Sequence, residues 1–248
     1  MPALMAKLKE HGIYTIARVV AFRDPYLAEQ KPEWSLHVAD GKIYRDNKGL
    51  AWVNPYKKEV WDYLIEVGKK AGEAGFDEIQ FDYIRFAVDR TMNDVVFDDA
   101  DTQGRNKTQA ITEFIGYAHD ELAKEGLFVS ADVFGTIMRS EEDAAAVGQE
   151  YEDMAEQLDY ICPMIYPSHY GPGNFGIEYP DTQPYDTILN ALNGSRELLA
   201  ASAKEDAPQA VVRPWLQDFT ASYLEHYIKY GDEQVRQRIQ AVYDAGYD

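Results

Sequence analysis

The chain has a single cysteine, Cys162, among its 248 residues. An intramolecular disulfide is therefore excluded, and so is a cysteine-rich zinc site. Positive charge is scarce: 24 Lys and Arg stand against 43 Asp and Glu, a formal net charge of −19. Such a chain is a poor partner for nucleic acid or for an anionic membrane surface. No apolar run approaches the ~20 residues that cross a bilayer, so no membrane insertion is expected. No H-x-H, HExxH, GxSxG or P-loop pattern occurs. Metal-dependent hydrolysis, serine hydrolysis and nucleotide binding thereby lose their usual sequence support, and no metal or cofactor is expected. The N-terminal MPALMAKLKEHG reads as an amphipathic helix, without the pattern of a signal peptide.

What is present is ample apolar material. Hydrophobic residues make up 46% of the chain, enough to bury a sizeable core in one domain spanning residues 1–248. The 18 Tyr and 4 Trp supply flat apolar faces with polar tips. Strand-like and helix-like patterns alternate. Strands are expected at 13–22, 77–85, 127–134, 159–166 and 210–217. Helices are expected at 2–10, 56–73, 106–124, 141–157, 185–203 and 232–245. A polar, aromatic stretch at 23–54 holds a candidate hairpin around Asp40-Gly41, and a Gly/Pro/Tyr loop spans 167–184. This rhythm predicts an α/β fold with parallel strands and right-handed crossovers. Five such strands fit either an incomplete (β/α)8 barrel or an open doubly wound sheet.

The run GFDEIQFDYIRF at 75–86 carries the most chemistry. Ile79, Phe81 and Tyr83 share one strand parity; Glu78, Gln80 and Asp82 share the other. The apolar set suits covering helices. The polar set then points inward, with Asp82 near the C-terminal end of the strand, the end where β/α barrels do their chemistry. Arg85 stands just beyond and can pair with Asp82 or with Asp132, which sits near the end of strand 127–134. Met164 and Tyr166 share a face of strand 159–166, with His169 in the loop after it. In RPWLQDF, alternation sets Arg213, Trp215 and Gln217 on one face, suited to ring stacking and hydroxyl binding. Asp218 is a third carboxylate, of the opposite parity. Arg18 and Asp24, near strand 13–22, are further polar candidates for the rim or interior. Asp99, Asp101 and Gly104 carry only part of a calcium-loop spacing, so a solvated acidic loop is expected there.

Six stretches together, IARVVAFRDP (16–25), GLAWVNPY (49–56), GFDEIQFDYIRF (75–86), SADVFG (130–135), DYICPMIYPSHY (159–170) and RPWLQDF (213–219), resemble a bacterial family of glycoside hydrolase domains within the α-amylase-like barrels. The resemblance covers essentially the whole chain. It implies a (β/α)8 TIM-barrel fold represented here by strands three to seven, without strands one, two and eight. It implies a carbohydrate substrate, which suits a chain of this charge. It also implies roles: Asp82 as the nucleophile after strand four and Asp132 as the acid/base after strand five. The family pattern has Glu at the second position, and Arg rather than Gln80 two residues before the nucleophile. Aspartates on neighbouring strands ~4.8 Å apart can bring their carboxyls to the ~5–5.5 Å of a retaining glycosidase. Gln80, Tyr83, Arg85, Met164, Tyr166, His169, Trp215, Gln217 and Asp218 are the substrate-binding candidates. The alternative is a barrel of the cell envelope that holds a glycan without cleaving it. The full-length protein is expected to be exported or envelope-associated. Unpaired edges at 13–22 and 210–217 predict that these residues belong to a longer polypeptide or self-associate.

Overall fold

A computed structural model describes residues 2–205 and 207–247. Its first helix, α1 (Pro2–Glu10), turns through Gly12 into β1 (Ile16–Val20). Asp24 lies four residues past the end of β1. It caps α2 (Pro25–Gln30), accepting a hydrogen bond from Leu27 N–H at 2.9 Å. The short β2 (His37–Val38) turns back at residues 39–41 and pairs antiparallel with β4 (Val95–Val96), apart from the main sheet. Between them come α3 (Lys58–Ala74) and β3 (Glu78–Asp82). Then follow α4 (Asp99–Thr102), α5 (Lys107–Ala123) and β5 (Phe128–Phe134). The two short helices α6 (Glu141–Val147) and α7 (Tyr151–Ala155) lead to β6 (Tyr160–Ile165). The chain continues through α8 (Pro184–Ser202), β7 (Val211–Val212), β8 (Trp215–Leu216) and α9 (Asp232–Asp244).

The main sheet is parallel, in the order β1-β3-β5-β6-β7, with β8 also on β6. It is open: among the described residues, β1 and the β7/β8 pair each have a strand neighbour on one side only. Two expected strands are shorter than their sequence patterns. The strand at 77–85 stops at Asp82, because Tyr83 adopts a positive φ of 50° and breaks the pleat. The strand at 210–217 is split, because Pro214 has no N–H to give the ladder. Arg213 N–H still reaches Ile161 O at 2.9 Å before the break.

The two faces of the sheet differ as the alternation requires. Ile79, Phe81, Val129, Ala131, Val133, Ile161 and Ile165 are buried on the helix side. There Phe81 meets Phe114 of α5 edge-on at 5.3–5.4 Å together with Phe22. The other face is polar and largely buried, through Glu78, Gln80, Asp82, Ser130 and Asp132. Its floor is an ion pair between Glu78 and Arg213. Glu78 also accepts from Tyr14 Oη at 2.8 Å and from Ser130 Oγ. Burial alone would raise the Glu78 pKa, but Arg213, Ser130 and Tyr14 more than offset it and hold the carboxyl below its ordinary range. Removing the charge strands the Arg213 cation. Glu78→Gln is expected to cost about 2 kcal/mol, less than the ~3–5 kcal/mol of a fully buried pair because Arg213 keeps some solvent. In a thermal melt at pH 7 that is a fall in Tm of roughly 4–8 °C. An unchanged Tm would mean the pair only exchanges one set of polar contacts for another.

Candidate active site

The β3–β5 register brings the two aspartates to one height. Gln80 lies opposite Ser130 and Phe81 opposite Ala131, so Asp82 and Asp132 come next on adjacent strands. Both side chains are on the polar face and both are largely buried, at 12% and 4% exposure. From β1, Arg18 reaches across to them: Nη2 pairs with Asp82 Oδ2, and Nε stands 3.9 Å from Asp132 Oδ2. Sharing one guanidinium keeps the two carboxyls within the ~9.5 Å upper limit of glycosidase pairs. Tyr83 contributes through its backbone. Its left-handed conformation, strained for a non-glycine residue, aims the Tyr83 N–H at Asp82 Oδ1 at 2.6 Å. Asp82 is thus an acceptor through both oxygens.

Asp132 has a different environment. Trp215 Nε1–H donates to its Oδ1 at 2.7 Å. Burial is the largest influence on the carboxyl and raises its pKa; the Trp215 hydrogen bond and Arg18 pull the other way, while the Asp82 charge adds to the rise. The net result is a pKa raised from the ordinary 3.8 to about 6. Two neighbouring carboxyls, one a committed acceptor and the other able to carry a proton near neutral pH, are the components of paired acid–nucleophile chemistry.

The remaining expected site residues divide. Trp215 is 43% exposed at the rim and holds Asp132. Tyr166 follows β6, with its ring edge-on to His169 at 5.1 Å and to Phe219 at 5.9 Å. Burial raises the Tyr166 pKa, and the nearby charges of Asp132 and Asp82 raise it further. Met164 pairs in register with Trp215. With Phe134 and His169 it lines a cavity of about 490 Å³ whose walls do not include Asp82 or Asp132.

Four residues serve other contacts than those expected. Gln80 lies in the floor, its amide donating to Cys162 Sγ at 3.4 Å. Gln217, expected to bind hydroxyls, is fully buried and its amide is occupied: it accepts from Ser168 N–H at 3.1 Å and donates to Asp181 Oδ1 and Phe219 O, both at 3.0 Å. The Tyr83 phenol accepts from Arg23 at 2.7 Å while its ring packs against Trp52. Arg85 makes no ion pair with either aspartate, because Arg18 holds that position. Asp218 is exposed. The residue that the motifs undervalue is Arg18. Its signal is a lone arginine inside the apolar strand IARVV.

The parallel β/α sheet carries polar side chains at the C-terminal ends of its strands, as β/α barrels do, although here the sheet is open. The chain belongs to the family described as "Putative glycosyl hydrolase domain", whose profile matches residues 1–248. Among solved structures, the fold is similar to an α-galactosidase from Thermus thermophilus, at 14% identity over 100% of this chain and 45% of that one, TM-score 0.58. It is similar also to the glycoside hydrolase domain of PgaB (BpsB) from Bordetella bronchiseptica, at 10% identity over 96% of this chain and 70% of that one, TM-score 0.60. At such identities the likeness is one of fold. A hypothetical protein from Ruminiclostridium thermocellum ATCC 27405 is 42% identical over 53% of this chain, with a TM-score of 0.48. The chain covers 65% of the length of that protein, under two thirds. No curated protein matches the chain.

Proposed function

We propose that the chain carries the catalytic machinery of a retaining glycoside hydrolase acting on an oligosaccharide or polysaccharide. The observation that carries this is the unlike pair: Asp82, held as an acceptor by Arg18 and Tyr83 N–H, beside a buried Asp132 whose pKa is raised to about 6. In the first step an Asp82 oxygen bonds to the anomeric carbon while the glycosidic C–O bond breaks. The leaving oxygen takes the proton of Asp132. In the second step Asp132, now a base, takes a proton from water. The hydroxide oxygen bonds to the anomeric carbon and Asp82 departs as a carboxylate. Trp215, Tyr166 and Met164 offer ring and thioether surface around the reacting sugar. Arg18 acts as a positioning residue that sets the Asp82 oxygens.

A pH–rate profile tests the assignment on any glycan or aryl glycoside that is turned over. The acid must start protonated, so kcat/KM is expected to fall as pH rises through about 6, the value to which Asp132 is raised. Trp215 N–H favours the ionised carboxylate. Trp215→Phe therefore raises the Asp132 pKa and moves the alkaline limb to higher pH. A limb that stays put in Trp215→Phe, or lies far from 6, removes Asp132 from the acid role. The second reading, a barrel that binds a glycan without cleaving it, draws on the same Arg18 pair, which occupies an Asp82 oxygen and the space of an attacking group. Binding with no product after prolonged incubation would favour it.

A further inference from the structure

Arg85 lies three residues past Asp82, where the chain leaves β3 at the rim. Its guanidinium carbon stands 4.6 Å from the ring centre of Phe134, 5.2 Å from that of Trp52 and 5.3 Å from that of Tyr83. One donor is used: Nη1 gives a hydrogen bond to Phe86 O at 2.8 Å. Three arginines of the sheet and its ends have carboxylates, Arg18 with Asp82, Arg23 with Asp46 and Arg213 with Glu78. Arg85 has none within ion-pair distance among the described residues. Burial pushes its pKa down to about 10, which leaves it a cation at neutral pH.

A partly buried cation without a counter-ion is costly to hold. Ring faces relieve part of that cost, because their negative quadrupoles attract the flat side of the guanidinium. They do nothing for the N–H groups in its plane, which still need acceptors. A guanidinium lodged among three rings, with one donor bonded to the backbone and no carboxylate partner, keeps N–H groups for an oxyanion. Phe134 also lines a cavity of about 490 Å³ with Met164 and His169, whose walls do not include Arg85. Asp82 lies three residues back at the end of β3, so an anion on Arg85 belongs to the rim that carries the aspartate pair.

We propose that Arg85 is the specificity residue for an acidic glycan, its fork taking an oxyanion substituent of a sugar bound at the rim that carries the Asp82–Asp132 pair. The proposal rests on that rim being a sugar site, and not on its turnover. Long-range charge does not favour such a ligand, since a chain of net charge −19 repels polyanions. Preference for the charged sugar must therefore arise at a local contact.

Binding to the whole chain is measured by isothermal titration with two matched pairs of probes. One pair is an oligogalacturonide and its carboxyl-reduced form. The other is a sulfated oligosaccharide and its desulfated form. The charged member of one pair is expected to bind at least tenfold more tightly than its neutral counterpart, and the pair that shows this identifies carboxylate or sulfate. Arg85→Gln is expected to make the two members bind alike. Arg85→Lys, which keeps the charge but loses the fork, is expected to keep only a fraction of the preference and serves if Arg85→Gln fails to fold. Asp82→Asn is expected to keep the preference while turnover is lost, which separates this test from that of the hydrolase mechanism. No preference in either pair, or a preference that survives Arg85→Gln, overturns the proposal.

Discussion

Asp82→Asn is expected to keep the fold and to lower kcat by about 10⁴-fold or more, the scale on which a lost nucleophile acts. The fold should survive because the amide oxygen can still accept the Tyr83 N–H that now lies 2.6 Å from Oδ1. The ion pair with Arg18 is lost, but the Arg18 side chain is 52% exposed, so its worth is at most about 1 kcal/mol. Chemistry has no such reserve. An amide is a far poorer nucleophile than a carboxylate, and no other carboxyl at the rim stands in the same place. Two readouts separate the retaining scheme from others. With the unaltered chain, proton NMR of the first product should show the anomeric configuration of the substrate. With Asp82→Asn, added azide should restore turnover of an activated aryl glycoside and yield a glycosyl azide of inverted configuration. Full activity of the variant on a natural glycan would take Asp82 out of the mechanism, and inversion by the unaltered chain would give its carboxylate the role of a base acting through water.

Much of this arrangement is legible in the one-dimensional pattern. The alternation in GFDEIQFDYIRF places Glu78, Gln80 and Asp82 on one side of β3 and Ile79 and Phe81 on the other, and the contacts agree. Alternation holds only where the chain stays pleated. Tyr83 takes a left-handed turn, so residues 83–86 leave the parity that their sequence suggests. Pro214 does the same to RPWLQDF. Pairing is harder still. Arg18 reaches Asp82 across 64 residues and Trp215 reaches Asp132 across 83, distances at which one sequence offers no sign of which partner wins. Arg85, closer in sequence to Asp82, is the more obvious mate, yet β1 lies directly beside β3 and delivers Arg18 to the carboxylate first. Gln217 misleads in the same way, because the groups that occupy its amide come from the loop at 167–182 and from its own backbone neighbourhood.

Asp132→Asn is expected to trade activity for stability, with a pH dependence that identifies the cause. Burial raises the Asp132 pKa from the ordinary 3.8 to about 6, so the folded state holds this proton more tightly than the unfolded chain does. A group of that kind favours the fold fully below pH ~4 and loses that contribution as pH rises through about 6. At neutral pH the buried, 4% exposed carboxylate is therefore a burden, on the order of 2–3 kcal/mol for a shift of this size. The isosteric amide carries no charge and can still accept the Trp215 N–H. Thermal melts of the variant and the unaltered chain should coincide near pH 4 and separate by roughly 5–10 °C above pH 7, with the variant higher. Activity should move oppositely. Losing a general acid costs about 10²–10⁴ in kcat/KM on a natural glycoside, and much less on a dinitrophenyl glycoside, whose leaving group needs no proton. Equal melts at pH 8 would show that its surroundings do not raise the Asp132 pKa. Equal losses on both substrates would show that it does not deliver the proton.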